Sequence, residues 1–121
     1  MNPSKKILYI DDDYINVELF KINFAKKCKL LCGYSGETGL HLLNSNPDVE
    51  MIISDMRMPG MNGIEFLRKV KNINPEIKCY ILTGYGITNE IKKQVDSGLI
   101  IKCFGKPFNK KEIEELLETM Y

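Results

Sequence analysis

The sequence predicts an α/β fold, an open doubly wound parallel sheet, on three observations. Five short apolar runs rich in β-forming residues alternate with five segments whose apolar residues recur at helical spacing. The alternation is strict, so successive strands are joined by helical crossovers, run parallel, and are covered by helices on both faces. The chain has 121 residues, about half of what an eight-unit barrel needs.

The first strand is expected over Lys5–Ile10 (KKILYI), followed by a helix over Tyr14–Lys27. That helix carries Ile15, Leu19, Ile22 and the pair Phe20 and Phe24 at helical spacing. Leu30–Tyr34 is the second strand. Gly36–Ser45 is the second helix, with Leu40 and Leu43 on one face and Pro47 beyond its end. Met51–Ser54 is the third strand, and Ile64–Lys71 the third helix, with Ile64, Phe66, Leu67 and Val70 as its apolar positions. Lys78–Leu82 is the fourth strand. The helix over Ile87–Ser97 is the weakest, with only Ile87, Ile91 and Val95 to bury and Gly98 as its stop. Leu99–Phe104 is the fifth strand. Asn109 opens the last helix, where Glu112 completes a capping box and Ile113, Leu116, Leu117 and Met120 form the buried stripe. For five strands the economical winding has the order 2-1-3-4-5, a flavodoxin-like sheet, and residues 1–121 make one domain.

Composition narrows the function. Seventeen basic and 16 acidic residues nearly cancel, which argues against a direct nucleic-acid partner. The start, MNPSKKILYI, lacks the apolar core of a signal peptide, and no run approaches the ~20 apolar residues of a membrane span. A soluble, cytoplasmic domain with no membrane partner is expected. Cys28, Cys32, Cys79 and Cys103 lack zinc-ligand spacing and have only His41 for company, so they read as buried reduced thiols and His41 as a surface residue.

In a sheet of this winding, ligands bind beyond the carboxyl ends of the strands, where strands 1 and 3 diverge. Strand 1 ends in Asp11-Asp12-Asp13, strand 3 in Asp55, strand 4 in Thr83, and strand 5 shortly before Lys106. Asp55 should therefore face the same pocket as Asp11 and Asp12. Carboxylates so close repel, and one stays protonated unless a cation joins them. Hard oxygen donors with open positions suit Mg²⁺. Thr83 can donate to one phosphoryl oxygen, the Lys106 ammonium can pair with another, and a carboxylate there is a plausible nucleophile for an acyl phosphate. Taken singly these residues have ordinary structural uses: Asp12 or Asp13 as a helix cap, Asp55 as a turn residue, Met56, Met58 and Met61 as loop packing. Their joint occurrence in strand order favours the functional reading.

Four segments, ILYIDDD at 7–13, ISDMRMPGMNG at 53–63, YILTGYG at 80–86 and GKPF at 105–108, resemble the receiver domain of two-component response regulators. The resemblance covers nearly the whole chain. It implies that Asp55 is the phosphoacceptor, charged by a sensor histidine kinase or a histidine phosphotransfer protein. It further implies that Asp12 binds Mg²⁺ directly, Asp11 largely through water, and the Arg57 backbone carbonyl as a third protein ligand beside Asp55. Thr83 would be the switch hydroxyl and Lys106 the phosphoryl-pairing lysine, in a cis bond to Pro107. Arg57 and Tyr85 would border the path of hydrolytic water. The downstream protein target would contact the fourth helix, fifth strand and fifth helix.

One feature departs from the family: Cys103 stands where receivers usually carry an aromatic residue, and the stretch 98–106 is one residue longer than the common pattern. Either a bulge re-aims Phe104 into that position, or the signal travels through the weakly packed fourth helix with Tyr85 as the moving ring. Two other functions compete. A haloacid-dehalogenase-like phosphatase would want Asp-x-Asp-x-Thr, but Asp11-Asp12-Asp13-Tyr14-Ile15 contains no threonine. A phosphorylation-independent binding module would have no need of every acid together with Thr83 and Lys106. The reading is thus a switch domain and not a turnover enzyme, either a stand-alone regulator or a receiver belonging to a longer chain.

Overall fold

Lys6–Ile10 (β1) lies inside a five-stranded parallel sheet of order β2-β1-β3-β4-β5, the predicted winding. The computed structural model describes residues 5–119. In chain order the remaining elements are α1 (Tyr14–Phe24), β2 (Lys29–Gly33), α2 (Gly36–Ser45), β3 (Met51–Asp55), α3 (Gly63–Ile73), β4 (Lys78–Thr83), α4 (Asn89–Asp96), β5 (Lys102–Gly105) and α5 (Lys110–Glu118). Alternate side chains of each strand point to opposite faces, which divides the core in two. Leu8, Ile10, Ile52, Cys79 and Ile81 pack toward α2, α3 and α4. Ile7, Tyr9, Met51, Ile53, Leu82 and Phe104 pack against Val17, Phe20 and Phe24 of α1 and Ile113 and Leu117 of α5.

Several expectations need correction. In α1 the buried residues are Val17, Phe20 and Phe24, whereas Ile15, Leu19 and Ile22 are exposed. A stripe at helical spacing was present twice, and the aromatic one won the core because it stacks on Tyr9, with ring centroids 4.0 Å apart. The helix also stops at Phe24, short of Lys27. In α4 the Thr88 side chain caps the Ile91 amide, so the helix starts after Ile87, which is exposed. β5 begins at Lys102, not Leu99. Gly98 turns with φ +88°, and the Ile100 amide bonds back to the Gln94 carbonyl, so residues 99 and 100 still belong to the exit from α4. The Ile101 amide already bonds to the Cys79 carbonyl of β4. Register from Tyr80↔Lys102 to Thr83↔Gly105 is then continuous, so the longer stretch is absorbed before the strand and not by a bulge.

At α5 the Asn109 side chain caps the Glu112 amide, but the Asn109 amide does not donate to the Glu112 carboxylate in return. A complete capping box instead opens α3, between Asn62 and Glu65, and was missed. Met120 lies outside the described residues. Cys28 and Cys79 are buried as expected, with burial pushing their thiols up to about 11, while Cys32 and Cys103 are only half-buried; all four are free. His41 is exposed.

The loop from β3 to α3 sets the distance between Asp55 and the helix that follows. Its tightest point is Gly63, whose amide bonds to the Met56 carbonyl at 2.8 Å. A Cβ there would lie 2.4 Å from the backbone oxygen of Asp55, an atom that cannot swing away. Gly105, near the other side of the site, has open space around the same position. Gly63→Ala should therefore destabilise the domain by about 1–3 kcal/mol in urea unfolding, while Gly105→Ala should leave the midpoint within a few tenths of a kcal/mol. Equal effects of the two would contradict this packing account.

Candidate functional site

Buried polar side chains among the described residues are Asp11, Ser54, Asp55 and Thr83, and all stand at or just past the carboxyl ends of β1, β3 and β4. The strand register brings them together. The Asp11 amide bonds to the Gly33 carbonyl of β2 at 3.2 Å, and Asp55 is paired with Leu82, next to Thr83. The Lys106 amide bonds to the Thr83 carbonyl at 2.9 Å, which ties the β5–α5 turn to the end of β4. The Lys106–Pro107 bond is cis, as expected.

Asp11, Asp12 and Asp55 each offer a carboxylate oxygen, and these oxygens lie within 4.8 Å of one another. Lys106 Nζ sits between two of the acids, 2.7 Å from Asp11 Oδ2 and 3.1 Å from Asp55 Oδ2. Asp11 is fully buried and Asp12 exposed. Asp13 is turned out of the cluster: its side chain caps α1, accepting from the Ile15 amide at 2.9 Å, which settles which acid is the cap.

Electrostatics follow from this crowding. Burial, reinforced by the charge of Asp11 and opposed by Lys106, pushes the Asp55 carboxyl up to about 6. Burial alone would depress the Lys106 ammonium, but its bond to Asp11 and the charges of Asp11 and Asp55 outweigh burial and raise it. The donor set, three carboxylates around one point, is one that suits a hard cation such as Mg²⁺.

Arg57 and Tyr85 meet across the rim of the site, the guanidinium 4.3 Å from the ring centroid. With Asp12, Asp13, Asn16, Asp55, Gly84 and Lys106 they border an open cleft of about 500 Å³. Thr83 is buried below this rim, where its Oγ1 accepts the Tyr85 amide at 3.2 Å. Another cleft, of about 410 Å³, opens near the amino ends of β3 and β4 among Lys5, Asp48, Glu50 and Glu76. Asp48 and Glu50 there already pair with Lys6 and Lys5, and the buried polar residues lie at the other end of the sheet.

The structure therefore brings together Asp11, Asp12, Asp55, Lys106 and, beside them, Thr83, with Arg57 above. Sequence reasoning missed Tyr9, whose hydroxyl donates to Asp11 Oδ2 at 2.8 Å. The signal was available, since residues two apart on a strand share a face.

A doubly wound sheet that gathers acids, a hydroxyl and a lysine at its switch point defines a class, a domain shaped to handle a phosphoryl group. The chain belongs to the response regulator receiver domain family, which matches residues 7–118, and it is a receiver domain of two-component phosphorelay signalling. It is similar to sporulation initiation phosphotransferase F of Bacillus subtilis, 31% identical over 117 residues that cover 95% of this chain and 92% of that protein. It is also similar to the hydrogenase transcriptional regulatory protein HoxA of Cupriavidus necator, 29% identical over 84% of this chain but only 21% of that protein. Among solved structures, a response regulator receiver domain protein from Clostridium thermocellum superposes with TM-score 0.88 at 26% identity, covering 96% of this chain and 93% of that one. Among the described residues no helix is long and apolar enough to cross a membrane.

The Asp55 shift has a consequence for stability. Its folded value of about 6 exceeds the ordinary 3.8, so the folded state binds more protons between those limits. The metal-free domain should lose stability as pH rises through that window, with the full penalty present above it. Asp55→Asn removes the penalty. In metal-free thermal melts the variant should exceed wild type at about pH 7.5, and the gap should close toward about pH 4. A variant that melts below wild type at the higher pH would contradict the crowding described.

Proposed function

We propose that residues 1–121 form one receiver domain that stores a phosphoryl group on Asp55 and passes the signal on by changing what it binds. The observation that carries this reading is the Lys106 ammonium, poised between Asp11 and Asp55 at 2.7 and 3.1 Å. One cation is held beside the carboxylate that would carry the phosphoryl group. The Asp55 carboxylate attacks the phosphorus of a phosphohistidine. A P–O bond forms as the P–N bond breaks, and the leaving imidazole takes its proton from solvent. Lys106 then turns to a phosphoryl oxygen and Thr83 donates to another. Mg²⁺, held by Asp12, Asp55 and the Arg57 carbonyl and by Asp11 largely through water, would offset the acids and the incoming phosphoryl charge.

The phosphodonor in this reading is a sensor histidine kinase or a histidine phosphotransfer protein, and the domain works in the cytoplasm. It acts as a self-phosphorylating switch, not as a turnover enzyme. Arg57 and Tyr85, stacked over the cleft, restrict the water that would hydrolyse the acyl phosphate. Output passes through the face of α4, β5 and α5. In support, α4 is only 8 residues long with Ile91 as its sole fully buried side chain, which makes it the element easiest to shift. Cys103 faces the α4 side of the sheet, and Phe104 lies on the opposite side, packed 6.0 Å from Tyr80.

Labelling by phosphoramidate in the presence of Mg²⁺ tests the site. Asp55→Asn should take up no label, and Arg57→Ala combined with Tyr85→Ala should shorten the lifetime of the label. Label on Asp55→Asn would reassign the nucleophile, and an unchanged lifetime would reject the steric role of the rim. NMR with and without Mg²⁺-beryllofluoride, a phosphoryl mimic, tests the output. Shifts should concentrate at Tyr85 and residues 87–97 while the Phe104 ring stays put; a reorienting Phe104 beside a fixed α4 would overturn the α4 route.

A further inference from the structure

Tyr9 sends its polar end out of the core and into the acid cluster. The residue is fully buried, and its ring stacks on Phe20 with centroids 4.0 Å apart and planes within 4°. Phe20 is in turn braced by Phe24 at 4.7 Å and Phe108 at 5.6 Å. A phenylalanine would fill the same space without burying a hydroxyl, which costs free energy unless bonded. The hydroxyl is bonded: it donates to Asp11 Oδ2 at 2.8 Å.

Asp11 Oδ2 thus has two donors of different kinds, the Tyr9 hydroxyl and the Lys106 ammonium, while Oδ1 accepts the Asp13 amide at 3.0 Å. Lys106 sits at the end of a long flexible side chain, has a second carboxylate in reach, and is itself partly exposed. Tyr9 is clamped by aromatic packing and cannot follow it.

We propose that Tyr9 is a positioning residue for the phosphorylation site. Its hydroxyl holds the Asp11 carboxylate from the core side, keeping it oriented toward the metal position when Lys106 turns to a phosphoryl group on Asp55. This rests on the reading of Asp55 as phosphoacceptor and of the acid cluster as the Mg²⁺ site. Without the hydroxyl, Lys106 would be the only side chain among the described residues holding Oδ2, and once it turned away the Asp13 amide on Oδ1 alone would fix the acid.

Tyr9→Phe keeps the ring stack and removes the hydroxyl alone. Mg²⁺ affinity, from NMR titration of the backbone amides near Asp11 and Asp12, should fall about tenfold. The Asp11 carboxyl carbon resonance of the metal-free protein should move as well. Phosphoramidate labelling should half-saturate at about tenfold higher Mg²⁺ yet reach the same maximum. Tyr9→Leu, which also removes the stack, should lower the melting temperature further without weakening Mg²⁺ binding beyond Tyr9→Phe. Affinity within twofold of wild type in Tyr9→Phe, or a lower labelling maximum at unchanged half-saturation, would overturn the role of Tyr9 and leave the site assignment standing. A wild-type protein that neither binds Mg²⁺ nor takes label would overturn both.

Discussion

Repulsion between Asp11 and Asp55, relieved by one ammonium, is the constraint around which the rest of this domain is arranged. Two carboxylates at the ends of neighbouring strands cannot both stay charged in a buried site without a cation. Lys106 supplies it from the turn after β5, at the far edge of the sheet. The lysine arrives there because its amide is tied to the Thr83 carbonyl and because β4 and β5 keep an unbroken register. The parallel winding is thus what makes the site possible. Four strands deliver their carboxyl ends to one edge, and residues far apart in sequence meet within bonding distance.

The compensation is incomplete by design of the site's contents. Asp55 remains shifted toward its neutral form by burial and by Asp11, in spite of the lysine. A group held in this condition favours whatever adds positive charge beside it. That preference suits the acid cluster at the end of β1 and β3 to a divalent cation.

The two faces of the sheet are anchored unequally. On one, Tyr9, Phe20, Phe24 and Phe108 form a continuous aromatic cluster beneath the acids, reaching the residue that follows the cis Lys106–Pro107 bond. On the other, α4 contributes Ile91 and a half-buried Val95, and the neighbouring strand position is a cysteine. The acid cluster thus rests on a closely packed aromatic support, while α4 is held by few apolar side chains. The exposed Ile15, Leu19 and Ile22 on α1 belong to the aromatic side.

Strand order, helix positions and the acid, hydroxyl and lysine positions of the site were legible in the sequence, because each depends on local periodicity or on the rule that parallel sheets bind at their carboxyl edge. α2 was read to the residue, since Ser35 caps it and its apolar spacing is unambiguous. What stayed hidden depended on competition between distant groups. Which of two apolar stripes of α1 would be buried was decided by the Tyr9 ring on β1. Where β5 begins was decided by the bonds that carry the exit of α4 through Ile100. Only tertiary packing placed Arg57 on Tyr85 and the Tyr9 hydroxyl on Asp11. Periodicity states which face a side chain occupies, but a hydrogen bond or a stack is fixed only when both partners have been brought to one place.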